Sequence, residues 1–97
     1  MARILTVGIA TLDIINTVDG FPAEDAEVRA TAQVMSRGGN ASNTSVVLSQ
    51  LGHDCTWAGS LADDAGSDVI RADLESFGIE LSAVFQIAGG RTPTSYV

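Results

Sequence analysis

The chain has 97 residues, 45% of them hydrophobic, with twelve acidic against five basic side chains and a formal charge of −7. Its length and apolar content fit one globular domain and exclude a disordered chain. The basic side chains Arg3, Arg29, Arg37, Arg71 and Arg91 are scattered, which argues against a nucleic-acid surface of clustered cations, and the absence of any lysine excludes P-loop and Schiff-base chemistry.

Residues 3–9, RILTVGI, are β-branched and apolar almost without a break, the pattern of a strand covered on both faces. Continued to Leu12, the apolar run is too short to span a bilayer. It is interrupted by Asp13 and followed by no small-x-small cleavage site, so neither a leader nor a membrane helix is expected. From Glu27 the pattern changes to strict alternation, with Val28, Ala30, Ala32 and Val34 on one side and Glu27, Arg29, Thr31 and Gln33 on the other. This predicts a half-buried antiparallel strand in a small sheet projecting from the main one.

After Gly38-Gly39-Asn40 the stretch ASNTSVVLSQLG predicts a helix of about three turns, with Ala41, Thr44, Leu48 and Leu51 on its inner face and Gly52 at C′. CTWAGS reads as a second short buried strand. Its single cysteine, Cys55, allows no internal disulfide and implies a reducing, cytoplasmic setting. DDAGSDVIRADLESFGI predicts a second helix, with Ile70, Leu74 and Phe77 facing inward and Gly78 closing it. The end, AVFQIAGGRTPTSYV, places two β-rich runs around Gly89-Gly90 and predicts a hairpin or tight reversal.

Strand, projecting ribbon, helix, strand, helix, strand is the opening of an α/β fold with a parallel sheet. Two helices cannot cover both faces of such a sheet, so the chain is expected to be the N-terminal part of something larger, or to find its missing half elsewhere.

Three places carry candidate chemistry. With Asn40 at a helix start, the carboxamides of Asn40 and Asn43 share one side of the first turn and offer both donors and acceptors to the hydroxyls of a sugar. Gly38 and Gly39 allow close approach of a ligand to the backbone, the alternative being a simple turn with Asn40 as N-cap. Asp13, following the first strand, stands where open α/β sheets bind ligands, unless it is a bulge or turn carboxylate. Asp25 is either a further ligand group or part of a solvated acidic loop with Glu24 and Glu27. AGSD, residues 65–68, lies among too many carboxylates to hold phosphate and reads as a simple helix start. His53 reads as a surface residue interacting with a helix dipole. The sequons at Asn40 and Asn43 are discounted for want of a secretory signal, and metal-ligand spacing is absent.

Together, VGIATLDIINTVDGFPAEDAEVRATAQVMSRGGNASNTSVVLSQLG, GSLADDAGSDVIRADLESFGIELSAV and TPTSYV resemble the opening of the ribokinase-like (PfkB) carbohydrate kinases, most of all their fructose-phosphorylating members. The resemblance implies a three-layer α/β sandwich with a small β-lid, here residues 13–36, that closes over the sugar and can pair with a partner's lid as a dimer interface. By motif position it implies that Asp13, Asp25, Gly39, Asn40 and Asn43 contact sugar hydroxyls. It also implies ATP and Mg2+ as cosubstrate and cofactor. The family's Gly-Ala-Gly-Asp segment, which carries the catalytic base and anion hole, and its adenine site are not among these 97 residues, so no catalytic or metal-binding residue is expected here. Two alternatives remain open: a nucleoside of the adenosine type as substrate, or a non-catalytic fragment that binds sugar or only dimerises.

Overall fold

The computed structural model describes residues 1–18 and 30–96. In chain order these form β1 (Arg3–Val7), β2 (Thr11–Val18), β3 (Ala30–Gly38), α1 (Asn40–Gln50), β4 (Asp54–Ala62), α2 (Ala65–Ser76), β5 (Val84–Ile87) and β6 (Thr94–Tyr96). Two three-stranded sheets result. One, ordered β1-β4-β5, is wholly parallel; the other, ordered β3-β2-β6, joins β2 and β3 antiparallel and adds β6 parallel to β2. This agrees with the α/β architecture that the sequence leads one to expect.

Because β1, β4 and β5 follow one another in one direction across their sheet, crossovers of a single hand place α1 and α2 on the same face. Val46 from α1 and Ile70 and Leu74 from α2 meet Cys55, Trp57 and Leu61 of β4 in one core cluster, in which Trp57, Ile70 and Leu74 have no exposed surface. Burial of each such aliphatic side chain contributes about 1.5–3 kcal/mol. The other face is bare, with Leu5 61%, Val7 71% and Phe85 71% exposed. The first strand is therefore covered on one face only, against the expectation from its unbroken apolar run, because two same-handed crossovers supply no helix to the second face.

The helices differ in how they seat. In α2 the anticipated face is seen, with Ile70 and Leu74 buried and Phe77 partly so. Asp64 caps it by accepting from the Ser67 N–H, at 2.9 Å. In α1 the anticipated face is seen only in part: Ala41 and Leu48 pack against the core, but Thr44 and Leu51 are exposed, and Ser42, Ser45 and Val46 turn inward. The reason is closeness. A Cβ on Gly8 would stand 2.7 Å from the Ala41 Cβ, so only small side chains fit under this helix, and the Ser45 hydroxyl is bonded to that of Thr6.

Two further expectations are corrected. The runs around Gly89-Gly90 do not form a hairpin, since β5 joins β4 in the parallel sheet while β6 crosses to β2. That crossing is held by the neighbouring acids. Asp63 accepts from the Gly89 N–H at 3.1 Å, and Asp64 accepts from the Thr92 N–H at 2.7 Å and from the Thr92 hydroxyl. The antiparallel strand is present from Ala30, its residues 27–29 lying outside the described residues, yet Gln33, Val34, Met35 and Ser36 are all exposed. Alternation alone cannot show how far along the ribbon contact with the body extends: Leu12, Ile14 and Arg37 are covered at its base, while residues 33–36 stand clear. His53 is not engaged with helix carbonyls through its ring: its Nδ1 accepts from the Ala2 N–H at 3.0 Å and ties down the N-terminus.

Candidate functional site

The carboxyl ends of the parallel strands are where an open α/β sheet holds its ligand. A cavity of about 290 Å3 opens there, floored by Gly8, Ile9, Ala10, Leu61 and Ala62, with Arg91 at its rim. A larger hollow of about 510 Å3 lies at the opposite, amino end of β1 and β4, among Arg3, Asp54 and Glu80. Its position, lined by none of the candidate ligand-binding residues Asp13, Gly39, Asn40 and Asn43, disfavours it despite its size.

Beside the first cavity the chain leaves β1, bends at Gly8–Ala10 and enters β2, so Asp13 is the third residue of the ribbon rather than the tip of the first strand. It is half-buried, lies across from Ser36, and accepts from the Thr11 hydroxyl at 3.2 Å. Its neighbours Leu12 and Ile14 are buried on the opposite face of the ribbon. On the face of Asp13 the next pair along is Ile15 with Val34, an exposed apolar step beside the carboxylate.

The two glycines bring this carboxylate to the start of α1. A Cβ on Gly38 would come within 2.4 Å of Asp13 Oδ2, and one on Gly39 within 2.2 Å of the Ile9 carbonyl oxygen. Gly39 has φ 100°, in the left-handed region that side chains resist. It occupies the N-cap position without any side-chain cap, so Asn40 is the first helical residue and not the cap. The first-turn N–H groups are therefore masked by no side chain of the cap residue.

Asn40 and Asn43 are both exposed at the head of α1. They differ in commitment. Among the described residues the Asn40 carboxamide has no hydrogen-bond partner, whereas Asn43 Oδ1 accepts from Arg37 Nη1 at 2.6 Å. Asp13, Gly39 and the first turn of α1 are thus brought together through the Gly38-Gly39 step. Asp13, Asn40 and Asn43 do not themselves line either of the two cavities. Asp25 lies outside the described residues.

Sequence reasoning missed Arg37, noted only as one scattered cation. Its Nε donates to Asp73 Oδ2 at 2.6 Å and its Nη1 also donates to Ser42 Oγ at 2.9 Å, with the side chain only 9% exposed. Its place just before the two glycines was the available signal. Nothing in the sequence announces a partner 36 residues away on α2. Two groups carry shifted acidities. Burial, with the nearby Asp54 charge adding to it, pushes the Cys55 thiol up. The Thr92 hydroxyl, then the Thr92 and Ser67 N–H groups, hold the Asp64 carboxyl below its usual range. The first keeps the thiol protonated and the second belongs to the cap of α2, so neither prepares a nucleophile or an acid.

Comparison with known proteins bears on what this arrangement belongs to. The sequence is 46% identical over 93 residues to ketohexokinase of Mus musculus, covering 96% of this chain and 31% of that protein. It is 35% identical over 97 residues to the ATP-dependent ribose-1-phosphate kinase of Halopiger xanaduensis, covering all of this chain and 33% of that protein. The chain thus spans about a third of the length of these curated relatives. Among solved structures, the nucleoside kinase of Methanocaldococcus jannaschii superposes with a TM-score of 0.81 at 25% identity, over 99% of this chain and 32% of that one. The profile of the pfkB family carbohydrate kinases matches residues 1–97 from end to end. Carboxylate, glycine step and amide-bearing helix start therefore stand in a chain that belongs to the pfkB carbohydrate kinase family.

Proposed function

We propose that these residues form the substrate-binding portion of an ATP-dependent kinase that phosphorylates a hydroxyl of a small sugar, a ketohexose such as fructose. The observation that supports this most is the Gly38-Gly39 step, which holds Asp13 against the uncapped start of α1. A carboxylate with one oxygen free of partners among the described residues accepts hydroxyl hydrogens, while the Gly39 backbone and the amides of Asn40 and Asn43 add donors and acceptors around the same polyol. Asp25 is assigned to the same shell by its motif position.

In this reading residues 13–36 act as the lid. The exposed pair Ile15 and Val34 supplies an apolar surface that excludes water as the ribbon approaches the ligand, and a second copy pairs through the same ribbon. The setting is cytoplasmic; no helix among the described residues is long and apolar enough to cross a membrane. The cosubstrate ATP and its magnesium ion supply and polarise the transferred γ-phosphoryl group. Among the described residues no group of three or more His, Cys, Asp or Glu side chains stands together, and none of them is assigned to ATP or its magnesium ion. What this portion contributes is positioning of the acceptor hydroxyl, a term that alone can remove several kcal/mol of barrier.

The test is an ATP-coupled assay of the intact kinase with fructose, ribose, ribose 1-phosphate and adenosine, joined to calorimetric titration of each. Fructose is expected to give the highest kcat/KM. Tight adenosine binding with no sugar turnover would overturn the sugar in favour of a nucleoside, the second reading, which the superposition on a nucleoside kinase favours. Turnover by the 97 residues alone would contradict the division of labour.

A further inference from the structure

Among the groups around the site, one charged side chain touches several of its parts without being placed to touch the ligand. Arg37 lies across from Leu12, on the ribbon face opposite that of Asp13. From there its guanidinium reaches three side chains on two helices: Asp73 on α2, and Ser42 and Asn43 on the first turn of α1. The Ser42 hydroxyl, which accepts from Arg37, donates in turn to the Gly38 carbonyl at 2.7 Å. One side chain is thereby connected both to the glycine step and to an amide of the site.

We propose that Arg37 is a positioning residue that fixes the Asn43 carboxamide with its oxygen inward, so that Asn43 offers a ligand its NH2 group and reads a ligand oxygen as acceptor. The inference rests on the sugar-binding reading and deepens it. The argument is one of hydrogen-bond polarity. A guanidinium has only donors, so the Asn43 oxygen must face it; the flipped amide would set NH2 against N–H and lose the bond. A free asparagine would offer either end, and a hydroxyl-rich ligand accepts both. The 2.6 Å charge-assisted bond removes that choice before the ligand arrives. The Asp73 carboxylate neutralises the cation, which could not otherwise stay at 9% exposure. An ion pair serving only to dock the ribbon on α2 would require neither the bond to Asn43 nor the link to Gly38.

The experiment uses the intact kinase, with fructose as probe, and compares wild type, Arg37→Lys, Asn43→Ala and the double variant. Arg37→Lys keeps a cation for Asp73 but loses the fork that reaches Asn43. It is expected to raise the KM for fructose about five- to tenfold, the size of one lost hydrogen bond, and to leave the KM for ATP unchanged. In the Asn43→Ala background it should add nothing further. A lowered Tm with both KM values unchanged, or effects of the two substitutions that multiply independently, would overturn the proposal. Asn43→Asp gives a second reading that does not depend on an Arg37 variant folding: it keeps an acceptor for Arg37 but replaces the NH2, and should weaken fructose as much as Asn43→Ala does. Wild-type affinity in Asn43→Asp would show that the oxygen end is the one read. If the wild-type enzyme turns over no sugar, the proposed function falls and takes this inference with it. If it does and the variants leave KM alone, only the inference falls.

Discussion

The two helices pack on the same face of the same sheet by different means. α2 begins with a side-chain cap from Asp64 and buries Ile70 and Leu74 completely. α1 begins at a glycine with no side-chain cap and buries two serines and one valine. The first arrangement is what stability alone favours. The second leaves the helix-start N–H groups without a side-chain cap and lets the backbone at Gly8 come close, which suits the proposed role in holding a ligand. Within one small unit, α2 anchors and α1 presents.

Substitutions can break this contrast at either end, and the largest effect belongs to the anchor. Ile70→Ala or Leu74→Ala should cost about 2–5 kcal/mol in denaturant unfolding of the intact enzyme, since each removes a fully buried side chain beside Trp57. Sugar KM in whatever remains folded should be close to wild type.

Gly39→Ala comes next. It combines a backbone at φ 100° with a Cβ aimed at the Ile9 carbonyl, and should cost on the order of 1–3 kcal/mol while also abolishing sugar binding. Gly38→Ala sharpens the comparison, because its new Cβ meets the end of the Asp13 side chain rather than backbone. A carboxylate can swing away, so affinity for sugar should fall more than Tm does. Retained affinity would show that the carboxylate position does not matter.

Smaller effects test the polar packing of α1 and the cap of α2. Ser45→Ala removes the hydroxyl bonded to Thr6 and should cost about 1 kcal/mol in thermal unfolding, against almost nothing for the exposed Thr44→Ala. The Asp64 carboxyl is more acidic in the fold than in the unfolded chain. Its contribution is therefore complete above the ordinary carboxylate pKa and is lost as pH falls through its lowered folded value. Unfolding followed across the acid range should show a weaker pH dependence for Asp64→Asn than for wild type, and an unchanged profile would remove Asp64 from the account.

What the sequence conveyed follows the same division. The face of α2 was legible because large aliphatic side chains at helical spacing dominate its burial. That of α1 was legible only at Ala41 and Leu48, because Ser45 is held by Thr6, and Ser42 by Arg37 and the Gly38 carbonyl, which periodicity does not encode. The glycine step and the paired amides were readable from their motif, whereas the Arg37–Asp73 pair joins residues brought together only by the fold. The supposed hairpin failed for a related reason: a glycine pair between two β-rich runs signals a reversal but not which sheet each run joins. Asp13 was identified as a candidate from its place after the first strand, but its membership of the ribbon was not legible, since the bend through Gly8–Ala10 leaves little trace in an apolar run.

The most direct test of the central claim is Asp13→Asn in the intact kinase, with sugar and ATP titrated separately. Losing a charge-assisted bond to a hydroxyl is worth roughly 1.5–3 kcal/mol, so sugar affinity should fall by about one to two orders of magnitude while ATP affinity stays at the wild-type value. Equal weakening of both ligands, or no weakening of either, would contradict the assignment of this carboxylate to the sugar.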